Sequence, residues 1–126
     1  MFKNEREFSK HVIEVFKKDF DTKCYSIESQ ETQSGFPDLT CLTAEGVFFI
    51  ELKILKSKKY LFFEPTQPVF YRENKRLASI TDVCFGDVES QKSYVVTVDE
   101  VMQCPMEKSG KHIRINVESL VKGNAW

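Results

Sequence analysis

Asp38, Glu51 and Lys53 are the residues whose types and spacing suit chemistry. They sit in the stretch 35–55, GFPDLTCLTAEGVFFIELKIL. Two apolar runs, 39–43 and 47–54, flank Ala44-Glu45-Gly46. Glycine supplies positive φ at little cost, so the stretch predicts a β-hairpin. The second run is almost continuously hydrophobic, as in a strand covered on both faces. Yet it carries Glu51 and Lys53 near its end, and buried charges are costly unless paired or engaged with a metal. Side chains alternate along a strand, so these two share a face. With a loop of Glu45 and Gly46, Ala44 pairs with Val47, and Asp38 lies opposite Lys53 and diagonal to Glu51. Any loop of even length keeps the three on one face. Two carboxylates with backbone oxygen and water form a hard oxygen site suited to Mg²⁺ or Mn²⁺. Such an ion acidifies a bound water and polarises a phosphoryl oxygen. The Lys53 ammonium can orient that water or offset charge on a pentavalent phosphorus.

Pro37-Asp38, twelve intervening residues and then Glu51-Leu52-Lys53 resemble the PD-(D/E)xK nuclease signature. Gly35, the Phe48-Phe49-Ile50 run and a later Gln67 sharpen the resemblance toward the VRR-NUC (virus-type replication-repair nuclease) branch, related to Holliday-junction resolvases. It spans the chain from about residue 5 to about residue 100. It implies an α/β restriction-endonuclease-like core, a mixed β-sheet with a central hairpin flanked by helices. It also implies a metal-dependent endodeoxyribonuclease, structure-selective and of virus or phage type, serving replication, recombination or repair. In this reading Asp38 and Glu51 bind the metal, with the Leu52 carbonyl as a further oxygen. A Glu at the start of the first helix joins directly or through water. That role falls to Glu5, with Glu7 as second choice, since Glu7 suits the capping partner of Asn4. Lys53 assists the nucleophile, and Gln67 holds water or the scissile phosphate. The cut leaves 5′-phosphate and 3′-hydroxyl. Ser34 and Gly35, in the loop before the Pro-Asp pair, can touch a phosphate or simply connect two strands. Lys56, Lys58 and Lys59 form the best cationic patch for nucleic acid, or a solvated loop that ends a hydrophobic strand. A homodimer is expected, because resolvase relatives cut two strands symmetrically.

The remaining chain must position these groups. Phe8, Val12, Val15, Phe16 and Phe20 recur at helical spacing, predicting a helix over 4–20 with Asn4 as N-cap. Residues 24–29 predict a short strand, followed by a polar loop. Residues 56–65 mix lysines with Tyr60, Leu61, Phe62 and Phe63. Aromatics among lysines can stack bases, but packing or an oligomer contact is the favoured reading. A helix is predicted from Thr66, as cap, to about Leu77, with Gln67 at its start and Pro68 tolerated in the first turn. Residues 82–85 and 94–98 predict two further strands, with a short helical stretch after them. Residues 112–117, HIRINV, alternate as an edge strand, and 117–122 suit a last helical turn.

The 126 residues fit a single nuclease domain, 1–126, with a real core. With 41% hydrophobic and 29% charged residues the composition is that of a soluble globular protein. A net charge of −1 argues against a general nucleic-acid coat, so contact must come from local patches. A short, mildly acidic chain with no added DNA-binding domain is not expected to be a sequence-specific restriction enzyme, since little remains for base readout. Cys24, Cys41, Cys84 and Cys104 form no CxxC pair, and His11 and His112 lie far from them, so no zinc site is expected. No apolar signal region follows Met1 and no run approaches ~20 apolar residues, so no membrane span is expected. The expected location is cytoplasmic, in the host if the protein is viral. DNA, branched, flapped or nicked, is the expected partner. The rival is a non-catalytic nucleic-acid-binding or assembly module on the same fold. A purely structural protein, with Glu51 and Lys53 at an exposed strand end, is the third reading.

Overall fold

A computed structural model of the chain describes residues 1–27, 35–56 and 59–120. Its first element is helix α1, Glu5–Asp19. The Asn4 side chain caps it by accepting from the Glu7 amide at 2.9 Å. Glu7 reaches back to the amide of Lys3 at 2.9 Å, one residue earlier than the reciprocal box requires. Phe8, Val12 and Phe16 repeat every four residues and form the buried stripe. Phe20 falls at the C-cap and is 54% exposed, so the stripe ends a turn sooner than its spacing predicts.

Strands β1 (Lys23–Ser26), β2 (Leu39–Thr43), β3 (Gly46–Ile54), β5 (Thr81–Asp87) and β6 (Lys92–Thr97) form a five-stranded sheet in the order β1-β2-β3-β5-β6. The β3–β5 pairing is parallel and the others antiparallel. β1 is shorter than predicted, and residues 28–34 lie outside the described segments. The hairpin closes one residue earlier than expected. Thr43 pairs with Gly46, so the loop is Ala44-Glu45, with Gly46 at φ +141 as the first residue of β3. The register shifts by two, so the faces are preserved, but Asp38 now falls across from Glu51 rather than Lys53.

The β4 strand (Tyr60–Phe63) was not predicted as a strand. It pairs with β8 (His112–Asn116), which also pairs with β7 (Glu107–Ser109). β8 is therefore the centre of a second sheet, not an edge. The predicted long helix is two: α2, Thr66–Glu73, and α3, Lys75–Ala78, divided at Asn74. The N-cap of α2 is Pro65, and no side chain caps it, so Thr66 does not have the capping role. Helix α4, Val98–Met102, opens on a complete capping box between Thr97 and Glu100. A 3₁₀ turn spans Val117–Ser119. No helix among the described residues is long and apolar enough to cross a membrane.

The large sheet is packed on both faces. On one, α1 covers Leu39, Cys41, Ile50, Leu52 and Cys84. On the other, α2 and the small sheet cover Val83, Phe85 and Val96 through Phe70, Tyr71, Leu61, Phe63 and Ile115. The four cysteines are free thiols and buried. Gly86 on β5 sets the distance of α1: a Cβ there would lie 2.6 Å and 2.8 Å from the Phe8 ring and 2.9 Å from Phe2. Both rings are fully enclosed and cannot swing aside. Gly86→Ala should therefore cost about 1–3 kcal/mol by overpacking. Urea unfolding checks this, and an unchanged midpoint contradicts the packing described.

Candidate active site

Glu51 and Lys53 pair in register with Val83 and Phe85, which turns them toward the α2 face. That face is closed over them, and Glu51 is only 4% exposed. Its Oε2 accepts from Gln67 Nε2 at 2.8 Å and lies 3.5 Å from Lys53 Nζ. Gln67 is buried at the first turn of α2, and its Oε1 accepts from Lys53 Nζ and from the Glu64 amide, each at 2.9 Å. The orientation of this amide is fixed by its partners, since the reverse would set NH₂ against two donors. Lys53 Nζ also stands 4.5 Å from the centroid of the Phe63 ring. Glu51 Oε1 is buried and has no hydrogen-bond partner among the described residues. Burial, reinforced by the Asp38 charge, pushes the Glu51 carboxyl up to about 8, against the opposing pull of Lys53 and Gln67.

Asp38 stands at the mouth of the hairpin. Its Oδ2 accepts from the Leu52 amide at 2.9 Å, and its carbonyl accepts from the Ile27 amide. The amide and carbonyl of one strand residue point to the same side, so the Leu52 carbonyl faces the same edge as Asp38. Beyond this edge lies a cleft of about 520 Å³ lined by Glu5, Ser9, Asp38 and Leu52 among others. Glu5 projects into it from the first turn of α1. Partial burial and the Asp38 charge raise its carboxyl, while Lys53 and Lys56 oppose the shift.

The structure thus brings Glu5, Asp38, Glu51, Lys53 and Gln67 together. No three His, Cys, Asp or Glu side chains among the described residues group closely enough to hold a cation by themselves. Two carboxylates and a backbone carbonyl are the oxygen donors on hand, and the buried Oε1 of Glu51 has the chemistry of a hard-cation ligand. Of the residues read as touching nucleic acid, Lys56 and Lys59 are exposed beside the site. Ser34 and Lys58 lie outside the described residues. Gly35, at φ +97, presses on α2: a Cβ there would meet Phe70 Cβ at 2.8 Å and the Thr66 carbonyl at 2.9 Å. Its close approach seats the helix turn that carries Gln67.

Three contributors escaped the sequence reading. Phe63 ends the unrecognised β4 and the Glu64 amide directly follows it; the run Tyr60-Leu61-Phe62-Phe63 is apolar throughout, so it carries no period-two signal. Tyr71 follows Gln67 by four residues, hence on the same helix face, and is buried with its hydroxyl unpartnered among the described residues. Burial and the nearby charges of Glu51 and Asp38 raise its phenol.

The mixed sheet with α1 on one face and α2 with a small sheet on the other is a restriction-endonuclease-like fold. The structure is similar to a Holliday junction resolvase from the archaeal hyperthermophile Archaeoglobus fulgidus, with a TM-score of 0.64 and 12% identity over 94% of this chain and 88% of that one. It is also similar to a nuclease from a fusselovirus, with a TM-score of 0.56 and 11% identity over 91% of this chain and 80% of that one. No protein-family model and no curated protein matches the sequence. At such identities the likeness is one of fold.

Because the folded Glu51 binds its proton more tightly than the unfolded residue, it contributes a penalty that grows as pH rises from about 4.5 to about 8. Glu51→Gln removes this penalty. Its thermal midpoint without divalent ions should therefore gain on wild type as pH climbs through that window. A constant difference contradicts the assignment.

Proposed function

We propose that this chain is a Mg²⁺- or Mn²⁺-dependent endonuclease that hydrolyses phosphodiester bonds in DNA. The observation that carries the reading is the Glu51–Gln67–Lys53 cluster beside Asp38, with one buried Glu51 oxygen that has no hydrogen-bond partner among the described residues. A protein gains nothing in stability from such a cluster that a well-packed apolar core would not supply. The fold neighbours, a resolvase and a viral nuclease, support the same class of chemistry. The PD-(D/E)xK spacing supports it independently, and the VRR-NUC branch is the finer placement that this spacing suggests.

Asp38 and Glu51 would hold the cation with the Leu52 carbonyl, and Glu5 would complete its shell directly or through water. When bound, the ion supplies Lewis-acid polarisation and an acidified water. Lys53 places a positive charge where the attacked phosphorus gains negative charge. Gln67 is a positioning residue: both acceptor directions of its oxygen are taken, and it holds Lys53 and Glu51 at fixed separation. In-line attack by water would break the bond to the 3′ oxygen, leaving 5′-phosphate and 3′-hydroxyl. DNA engaged in replication, recombination or repair is the substrate class, and a homodimer matches the need to cut two strands.

The test is cleavage of labelled DNA with Mg²⁺ or Mn²⁺, on a four-way junction, a flap, a nicked duplex, plain duplex and single strand. Wild type should cut at least one of these. Lys53→Ala and Asp38→Ala should lose at least ~100-fold, the scale of removing one transition-state contact. Cleavage retained by both variants, or none by folded wild type, overturns the reading.

A further inference from the structure

The segment read as lysines among aromatics divides its residues between two faces. Leu61 and Phe63 point inward and are fully buried. Tyr60 and Phe62 alternate with them, are half-buried, and belong to neither core cluster. The register sets them on the outer face of the small sheet, with Asn116 and Arg114 as cross-strand partners. There the Arg114 guanidinium lies 4.3 Å above the Tyr60 ring, and Lys59 Nζ lies 5.9 Å from it. Phe62 meets Tyr60 edge-on at 6.4 Å and His112 at 6.3 Å. The acids on this face are engaged: Glu107 with Arg114 at 3.1 Å and Glu64 with His112 at 3.3 Å. Lys56, Lys59 and Lys111 stand exposed around it, so its rim is cationic.

The place of this face matters as much as its composition. β4 ends at Phe63, whose ring carries Lys53, and the next amide, of Glu64, holds Gln67. Strand alternation makes the outer face the reverse side of the strand whose inner face carries the Phe63 ring under Lys53.

We infer that the outer face of the small sheet, built on Tyr60, Phe62 and Arg114, is a stacking platform for unpaired nucleobases. Aromatic rings and a guanidinium plane accept any base by its π-face, and surrounding lysines take the intervening phosphates. Bases in intact duplex are stacked on one another and cannot use the platform. The inference rests on the nuclease reading and narrows its substrate to DNA with unpaired nucleotides, such as flaps, gaps or single strands, over plain duplex.

Fluorescence anisotropy of a labelled single-stranded oligothymidylate, with a duplex of equal length in parallel and no divalent ion, tests the platform apart from cleavage. Phe62→Ala should weaken single-strand binding roughly tenfold or more, in line with alanine replacement of other base-stacking aromatics, and leave duplex binding unchanged. Phe62→Trp should retain single-strand binding. Phe62→Leu, which keeps the bulk and the fold, should lose most of it. Equal affinities in wild type, Phe62→Ala and Phe62→Leu overturn the platform, as does an equal loss on single strand and duplex. If wild type cleaves while the platform variants bind normally, the platform fails and the nuclease reading stands. If Phe62-dependent binding is seen without cleavage of any DNA, the platform stands and the nuclease reading fails.

Discussion

One side-chain amide holds the site together. Gln67 donates to the Glu51 carboxyl and accepts from the Lys53 ammonium, so a buried acid and a partly buried base are tied through a neutral group. Removing two charges from water costs several kcal/mol per ion, and their attraction offsets this only when the remaining lone pairs and protons find partners. Gln67 supplies those partners for Lys53 and for one oxygen of Glu51. The other oxygen has no partner among the described residues while Glu51 is ionised, and the neighbouring Asp38 carboxylate favours the protonated form of Glu51. Asp38 stands at the open end of the hairpin.

Much of the architecture follows from bringing that amide into place. α2 must pack with its first turn over the end of β3, and Gly35 permits this because its missing Cβ leaves room for Phe70 and the Thr66 carbonyl. Without a side-chain cap, the start of α2 is anchored instead by the bond from the Gln67 amide to the Glu64 carbonyl. The small sheet closes the same face, lending Phe63 as a floor for Lys53. The opposite face has no such obligations. Phe8, Val12 and Phe16 fill it with hydrocarbon, and α1 is free to present Glu5 at the cleft. Both faces are packed with hydrocarbon, and the α2 face also carries Glu51 and Lys53.

The grouping of the candidate residues was more legible in the sequence than the elements around them. Asp38, Glu51 and Lys53 were placed on one face because strand alternation is insensitive to a two-residue shift, so a misjudged loop did no harm. Asn4 and the α1 stripe were legible because capping and helical periodicity are local signals. The small sheet was not. In β4 aromatics fall on both faces, so the hydrophobic alternation that marks a strand is erased. β7 has the residues Glu-Lys-Ser, which carry no apolar pattern at all. Its existence depends on pairing with β8, a tertiary fact. The break at Asn74 was likewise hidden, since Asn is only mildly unfavourable in a helix and no Gly or Pro marks the spot.

The account stands or falls on whether the Asp38–Glu51 corner binds a divalent ion. Mn²⁺ titration followed by electron paramagnetic resonance reads this directly, because free Mn²⁺ gives a strong signal that bound ion loses. Wild type should deplete the free signal saturably, and Glu51→Gln, folded and at the same concentration, should not. Equal depletion by both proteins, or none by wild type, would contradict the central claim.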